Sequence, residues 1–347
     1  MTQNPIGLTG FDFIEFAAPD PQALHKLFLA VGMSRLKRHR TKKIDYYQQN
    51  DIHFFLNSEP ASFAVNFSRE HGACASATGW RVKDAKAARA TAIARGAKPA
   101  EVGDYSVLAD TALPAIYGVG DSLIYFVDNH KDPERLDKMG FVDLPNPDRV
   151  KSKGFALVDH LTNNVPQGQL KPLADFYMSV FGFTEIRYFD IRGKETGLVS
   201  FALRSPCGSF CIPINEGTEA KSQINEYLRE YKGSGIQHIA LLTGDMLSTM
   251  DKMKEAGIET LDIDDDYYNE VFKRLPQVTE DRKKLVSHNL LIDGDHDGYL
   301  IQIFTKNVIG PIFFEFIQRK GHQGFGEGNF GALFRAIERD QKRRGVL

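Results

Sequence analysis

Apolar and polar residues alternate in two separate stretches of the chain, and an amphipathic pattern follows each stretch. Residues 10–16 read Gly-Phe-Asp-Phe-Ile-Glu-Phe, and residues 154–160 read Gly-Phe-Ala-Leu-Val-Asp-His. Alternation with a period of two predicts a strand with one buried face. Helices are then predicted near residues 21–31 and 170–181, stopping at Gly32 and Gly182, because glycine readily adopts the left-handed conformation that ends a helix. The chain therefore contains an internal repeat.

The repeat extends through the rest of both halves. Residues 80–84 and the helix after them match residues 240–245 and their helix, and the strand pattern at 123–128 matches the one at 313–318. Each half is therefore predicted to hold two βαβββ units. Because the strands are amphipathic and alternate with single short helices, they indicate curved mixed sheets rather than a doubly wound parallel sheet.

The predicted fold class is α+β, with two tandem domains. Each domain is a pair of βαβββ modules that form a curved, partly closed mixed-sheet barrel with helices outside. The first domain, a degenerate structural copy, is predicted over residues 1–130, and a linker rich in proline and charge over 131–153. The catalytic domain is predicted over 154–347, ending in a helix from Asn329, a candidate N-cap, to about Lys342.

Composition excludes several classes of function. The chain has 347 residues, and its net charge of -2 gives no electrostatic footprint for nucleic acid. No stretch approaches the roughly 18 to 20 apolar residues that span a membrane, and the start lacks the features of a secretion signal. Three cysteines, Cys74, Cys207 and Cys211, are too few for a disulfide framework and predict a cytoplasmic protein. Cys207 and Cys211 lack the partner pair of a zinc site.

Three polar residues lie within apolar strand patterns of the second half. His160 ends one pattern and His238 begins another. Glu315 lies in residues 311–317, after two phenylalanines and before a phenylalanine and an isoleucine. A buried carboxylate is costly unless something compensates its charge. Two histidines and one carboxylate on one face form the facial triad of non-haem iron oxygenases, which leaves open positions for substrate and oxygen.

Each of the three residues also has an ordinary interpretation, as a core histidine or as a carboxylate paired with Arg319. The repeat argues against it. The corresponding first-half positions lie near Phe16, Ala77 and Tyr125, none of which is a metal ligand. Metal binding is therefore predicted in the second half alone, with a structural first half.

One motif resembles a metal site and fails on its spacing. Residues 293–298 read Asp-Gly-Asp-His-Asp-Gly, like the start of a calcium loop, but Phe304 stands at the twelfth position, where a bidentate glutamate is needed. The segment is predicted to be a tight turn between strands.

The chain resembles the 4-hydroxyphenylpyruvate dioxygenases of the vicinal-oxygen-chelate superfamily. The most specific match is the tail, at residues 300–306, 313–320 (Phe-Phe-Glu-Phe-Ile-Gln-Arg-Lys) and 324–330 (Gly-Phe-Gly-Glu-Gly-Asn-Phe). Residues 158–164 and 235–238 also fit, and the match covers essentially the whole chain.

The resemblance implies a set of site residues. His160, His238 and Glu315 stand at the positions where the family binds one Fe(II) per chain. Polar residues that would line the substrate pocket are Ser200, Asn215, Gln223, Gln237 and Gln302. Aromatic residues that would pack around the substrate ring are Phe304, Phe325 and Phe330. Asn329 would also contact the substrate, and with the last helix it corresponds to a lid.

The resemblance also implies the reaction. The expected substrates are 4-hydroxyphenylpyruvate and O2, and the expected products are homogentisate and CO2, in tyrosine and phenylalanine catabolism. A homodimer or homotetramer is expected. Three alternatives stay open: a 4-hydroxymandelate synthase with the same substrate and triad, a non-catalytic relative that binds a metal or an aromatic ligand, and an extradiol ring-cleaving dioxygenase. A product assay separates them.

Overall fold

The structure, a computed structural model, describes residues 3–193 and 195–346, so that Met1, Thr2, Lys194 and Leu347 lie outside it. In chain order, the elements of the first half are β1 (Leu8–Ala17), α1 (Pro21–Ala30), β2 (Ser34–His39), β3 (Ile44–Gln49), β4 (Ile52–Asn57), α2 (Phe63–His71), β5 (Cys74–Val82), α3 (Ala85–Ala94), α4 (Val102–Tyr105), β6 (Ala115–Tyr117), β7 (Leu123–Val127), α5 (Arg135–Lys138) and β8 (Phe141–Asp148).

The second half repeats this plan with extra helices before its last three strands. Its elements are β9 (Phe155–Val165), α6 (Leu170–Phe181), β10 (Thr184–Arg192), β11 (Gly197–Arg204), β12 (Cys211–Gly217), α7 (Gln223–Tyr231), β13 (Gly235–Thr243), α8 (Met246–Glu255), α9 (Asp265–Arg274), α10 (Arg282–Ser287), β14 (Leu291–Gly294), β15 (Tyr299–Phe304), β16 (Phe313–Lys320) and α11 (Phe330–Arg343).

The strands form two eight-stranded mixed sheets, one from each half. The first sheet has the order β6-β7-β5-β1-β4-β3-β2-β8, and the second the order β10-β11-β12-β9-β13-β16-β15-β14. In both sheets the two modules meet at an antiparallel pair, β1 with β5 and β9 with β13, which we call the central strand pair, and each of these strands has a parallel neighbour on its other side. The predicted α+β fold of paired βαβββ modules is confirmed.

The segment predicted as a linker contains secondary structure. Within residues 131–153, α5 is followed by β8, which pairs antiparallel with β2 and completes the first sheet. Only residues 149–154 run between the two sheets. The sequence obscured β8 because most of its side chains are partly or fully exposed and it contains two prolines, which a strand tolerates at a sheet edge.

The central strand pairs of the two halves share β-bulges, which fix the register of the repeat. The pairing of β5 with β1 shifts between Ala75 and Ala77, and that of β13 with β9 shifts between Ile236 and His238. When the halves are aligned on this bulge, the first-half positions corresponding to His160, His238 and Glu315 hold Phe13, Ala77 and Tyr125.

The predicted equivalents Ala77 and Tyr125 are therefore confirmed, and Phe16 is wrong by three residues. Phe16 packs on the helix-bearing face against Phe28 of α1, whereas Phe13 lies on the other face with Ala77 and Tyr125. Both halves have the same bulges, so the bulges do not displace the match. Gly7, not Gly10, is the residue of the first half that corresponds to Gly154, and counting from Gly10 placed the match three residues too far along the strand.

An apolar cluster drawn from both sheets joins the two halves. Trp80 of β5 packs against Phe181, Phe183 and Phe210 of the second half, and its ring centroid lies 4.9 Å from that of Phe181. Within the described part of the chain, no helix is long and apolar enough to cross a membrane. The cysteines are free thiols.

Glu15 is a buried carboxylate in the first half. Its side chain is 2 % exposed, and Asn57 Nδ2 donates a hydrogen bond to its Oε1 at 2.7 Å. Burial raises the pKa of Glu15 to about 7, and the hydrogen bond from Asn57 offsets only part of this rise. The folded protein therefore holds a proton on Glu15 that the unfolded chain releases nearer pH 4.5.

We expect Glu15→Gln to change the pH dependence of stability. Because the pKa of Glu15 is higher in the folded state, stability of the parent protein falls as pH rises from about 4.5 to 7, by about 3 kcal/mol in total. Glutamine cannot ionise and can still accept from Asn57. Thermal unfolding of the metal-free protein should show the variant more stable than the parent at pH 8 and closely similar at pH 4.5. Equal differences at the two pH values would contradict this prediction.

Candidate active site

His160, His238 and Glu315 meet on one face of the second sheet. They lie on β9, β13 and β16, which are adjacent strands, and their ligand atoms all lie within 4.8 Å of one another. Glu315 Oε2 is 3.1 Å from His160 Nε2 and 3.3 Å from His238 Nε2. The exposed fraction of the side chain is 3 % for His160, 12 % for His238 and 4 % for Glu315. The sheet thus assembles the donor set that the sequence predicted.

The electrostatics of the three residues favour a bound cation. Burial raises the pKa of Glu315, but the two imidazoles outweigh burial and bring this pKa to about 2. Burial lowers the pKa of His160, but Glu315 and Asp159 raise it to about 9. The pKa of His238 is lowered, because burial there outweighs Glu315. The carboxylates thus attract positive charge at His160, and a metal ion would compete with the proton for that position.

Both imidazoles are held by a hydrogen bond at the nitrogen that faces away from Glu315. His160 Nδ1 donates to Asp159 Oδ1 at 2.9 Å, and His238 Nδ1 donates to Gln237 Oε1, also at 2.9 Å. A proton on Nδ1 leaves the lone pair of each Nε2 free to bind a metal. The arrangement fits the nitrogen and oxygen donors of a two-histidine, one-carboxylate iron site.

A cavity of about 140 Å³ opens from the three residues. Of the nine predicted substrate contacts, those that line it are Ser200, Asn215, Gln223, Gln237, Gln302, Phe304, Phe325 and Phe330. Asn215 Nδ2 lies 3.5 Å from Gln237 Oε1. Since the oxygen of Gln237 also accepts from His238, Gln237 orients a ligand imidazole in addition to lining the cavity.

Gln302 presents a free amide to the cavity. It is fully buried, and neither its Nε2 nor its Oε1 has a hydrogen-bond partner among the described residues. Gly326 lies directly against this amide, since a Cβ at Gly326 would come within 2.5 Å of both amide atoms. A buried amide without partners is costly, and it fits a role in binding a polar group of a ligand.

Aromatic rings surround the imidazoles of His160 and His238. Phe313 stacks on His238 with ring centroids 5.0 Å apart, and Phe304 meets the same imidazole edge-on at 6.0 Å. Phe325 meets His160 edge-on at 5.5 Å. These rings form an apolar wall that would limit the access of water to the open side of the donor set.

Asn329 does not line the cavity. It is fully buried, and its Oδ1 accepts from the hydroxyl of Tyr267 at 2.6 Å. Its side chain makes no capping bond to α11, so Asn329 stands at the N-cap position but anchors the helix through Tyr267. Helix α11 itself supplies Phe330, Leu333 and further residues to the cavity wall.

Two residues near the donor set, Thr162 and Asp159, escaped the sequence reasoning. Thr162 Oγ1 lies 2.9 Å from His238 Nε2, and Asp159 joins His160 to Arg319. Arg319 was considered as a partner of Glu315, but its guanidinium pairs with Asp159 instead. The adjacency of Asp159 to His160 was the one available signal.

The calcium-like motif forms the predicted tight turn. Asp295 N donates to Gly298 O at 2.9 Å between β14 and β15. Asp293 is buried and accepts from the backbone N–H of Gly328 at 2.9 Å, so it is committed to the loop before α11.

Comparisons with known proteins agree with this geometry. Residues 2–142 match the family described as "Hydroxyphenylpyruvate dioxygenase, HPPD, N-terminal", and residues 157–303 match the "Glyoxalase/Bleomycin resistance protein/Dioxygenase superfamily". The chain is 54 % identical to Protein MelA of Shewanella colwelliana, over 99 % of each chain. It is 46 % identical to the 4-hydroxyphenylpyruvate dioxygenase of Legionella pneumophila, over 99 % of this chain and 98 % of that one.

A solved structure has the same fold at lower identity. A triple mutant of 4-hydroxymandelate synthase from Streptomyces coelicolor superposes with a TM-score of 0.81, at 21 % identity, over 96 % of this chain and 99 % of that one. At this identity the likeness shows the fold alone.

Proposed function

Because the chain belongs to the 4-hydroxyphenylpyruvate dioxygenase family, we propose that it converts 4-hydroxyphenylpyruvate and O2 to homogentisate and CO2. The single observation that carries this proposal is the set of His160, His238 and Glu315, which opens onto a cavity lined by the Gln302 amide, itself without a hydrogen-bond partner in the described part of the chain. We further propose one Fe(II) per chain, bound by these three residues.

Iron bound there would chelate the 2-oxo acid and activate dioxygen for decarboxylation of the substrate. The chain's own residues do the rest. The three ligands occupy one side of the metal position and leave the side facing the cavity open. Asp159 and Gln237 hold the imidazoles with Nε2 towards the metal position. The protein thus fixes which face the substrate can approach.

The cavity would orient the aromatic ring and keep water away. Phe304 and Phe325 lie against the imidazoles and would pack on the substrate, while the amide of Gln302 would bind one of its polar groups. Helix α11 would act as the lid, since it supplies Phe330, Leu333 and Phe334 to the wall. Exclusion of water protects a reactive oxidant from side reactions.

We expect the protein, loaded anaerobically with Fe(II) and then given 4-hydroxyphenylpyruvate and air, to release homogentisate and CO2 in equal amounts. Products should be identified by mass and chromatography. 4-Hydroxymandelate as the product would assign the chain to the sister activity, and a ring-opened product to an extradiol dioxygenase. Bound iron without oxygen uptake would indicate a binding protein. A homodimer or homotetramer and a cytoplasmic location remain predictions. Sedimentation of the purified protein tests the oligomeric state.

A further inference from the structure

A β-bulge turns Asp159 towards the metal-binding imidazole. His160 pairs with Ala240 and Val158 pairs with Leu241, so that Asp159 is the extra residue on β9. Successive side chains of a regular strand point to opposite faces, and an inserted residue breaks this alternation. As a result, the Asp159 carboxylate lies beside the imidazole of its neighbour, with Oδ1 2.9 Å from His160 Nδ1.

Arg319 holds this carboxylate with two hydrogen bonds. Its Nε donates to Asp159 Oδ2 at 2.9 Å and its Nη2 donates to Asp159 Oδ1 at 2.7 Å. The side chains are 13 % exposed for Arg319 and 15 % for Asp159. Arg319 lies on β16, four residues after Glu315, so the pair joins the strands of two ligands that are separated by β13.

The same arginine fixes the loop that carries Phe325. Arg319 Nη1 donates to the carbonyl oxygen of Gly324 at 2.7 Å and to that of His322 at 3.3 Å. The guanidinium carbon lies 6.0 Å from the centre of the Phe325 ring, which itself contacts the imidazole of His160. One side chain therefore connects the metal position with the aromatic wall of the cavity.

We propose that Asp159 and Arg319 are positioning residues, which fix the His160 imidazole for the metal and the Phe325 loop for the substrate. The inference rests on the proposed iron site. Asp159 keeps the proton of His160 on Nδ1 and increases the basicity of Nε2, as carboxylates behind metal-binding histidines do. Arg319 keeps Asp159 in place and brings Phe325 against the same imidazole. Both the affinity for the metal and the affinity for the substrate thus depend on the ion pair of Asp159 and Arg319.

The first half contains a comparable aspartate–arginine ion pair beside a position that holds no metal ligand. Asp12 is the extra residue of the matching bulge in β1, and its Oδ2 accepts from Arg135 Nη1 at 2.6 Å. Phe13 stands next to it, where the second half has His160. Asp12 is therefore a matched control, because its replacement breaks a comparable buried ion pair in the half that lacks the triad.

We expect Asp159→Asn to weaken metal binding by about 10–100-fold, the usual effect of removing a partner behind a metal ligand. Asparagine can turn its amide N–H towards Nδ1, which moves the imidazole proton to Nε2, and it leaves the charge of Arg319 uncompensated near the metal. The measurement is anaerobic titration of the metal-free protein with Fe(II) against a competing chelator. Asp12→Asn should lower the unfolding temperature and leave the Fe(II) dissociation constant unchanged.

Arg319→Lys provides a second variant that keeps the charge. Lysine can pair with Asp159, but it lacks the planar fork that also reaches the two loop carbonyls. We expect the dissociation constant of Arg319→Lys for Fe(II) to lie closer to the parent value than that of Asp159→Asn. We also expect its KM for 4-hydroxyphenylpyruvate to be severalfold higher than that of the parent.

The outcomes separate this inference from the proposed function. If the parent protein binds no Fe(II), the iron site fails and this inference fails with it. A second outcome is that the parent binds Fe(II) and the dissociation constant of Asp159→Asn lies within about threefold of the parent value, which is below the range for outer partners. The iron site then stands, and the positioning role of Asp159 is wrong. An unchanged KM in Arg319→Lys would overturn the link to the Phe325 loop.

Discussion

Glu315→Gln is expected to abolish turnover of 4-hydroxyphenylpyruvate while the protein remains folded. Glutamine has nearly the shape of glutamate but no negative charge, so the two imidazoles lose the carboxylate that lies 3.1 and 3.3 Å from their Nε2 atoms. Loss of a direct ligand should weaken Fe(II) binding by more than the about 10–100-fold that an outer partner contributes. Oxygen uptake and Fe(II) titration of the same preparation measure both effects.

Glu15→Gln is the matched control for this variant. Glu15 is as buried as Glu315, at 2 and 3 % exposure, and the chemical change is identical. Glu15 lies in the first half, where Phe13, Ala77 and Tyr125 occupy the positions of the triad. Its replacement should leave turnover and Fe(II) affinity unchanged. If both glutamine variants lost activity equally, disturbance of a buried carboxyl group and not loss of a ligand would be the cause. If Glu315→Gln kept turnover, Glu315 would not be a metal ligand.

The donor set could be predicted from the sequence because its members interrupt apolar strands. His160, His238 and Glu315 are polar residues in patterns that otherwise predict burial, and their absence from the first copy of the repeat distinguishes them from core residues. Their convergence on one face follows from three adjacent strands with a two-residue period. Sequence reasoning therefore reached both the fold class and the residues of the candidate metal site.

Features that depend on bulges and edges could not be predicted. The bulge in β9 concealed the contact of Asp159 with His160, because an extra residue leaves no trace in an alternation pattern. The match of His160 fell on Phe16 instead of Phe13 because Gly10, and not Gly7, was aligned with Gly154. The edge strand β8 was predicted as linker because its exposed face and its prolines lack that pattern. Asn329 resembled a helix cap, but its partner Tyr267 is 62 residues away in the chain.

Gln302→Leu is expected to lower activity without lowering stability. In the free protein the Gln302 amide is buried and makes no hydrogen bond to any other described residue, so leucine, an apolar side chain of similar size, breaks no such bond and should keep or raise the unfolding temperature. In the complex the amide would bind a polar group of the substrate, and its loss should lower kcat/KM for 4-hydroxyphenylpyruvate by about 10–100-fold. The measurements are thermal unfolding of the metal-free protein and steady-state oxygen uptake.

Gln49→Leu should produce the opposite pair of effects. Gln49 is also a buried glutamine, at 4 % exposure, but its amide is fully engaged: Nε2 donates to Val31 O at 2.9 Å, and Oε1 accepts from Ser152 Oγ and Lys153 N. Its loss leaves those groups unpaired, so the unfolding temperature should fall while kcat/KM is retained. If Gln302→Leu lowered the unfolding temperature as Gln49→Leu does, the Gln302 amide would have a structural partner, and its assignment to the substrate would be wrong. Opposite shifts in the two variants would identify Gln302 as a residue whose polarity serves binding at the expense of stability.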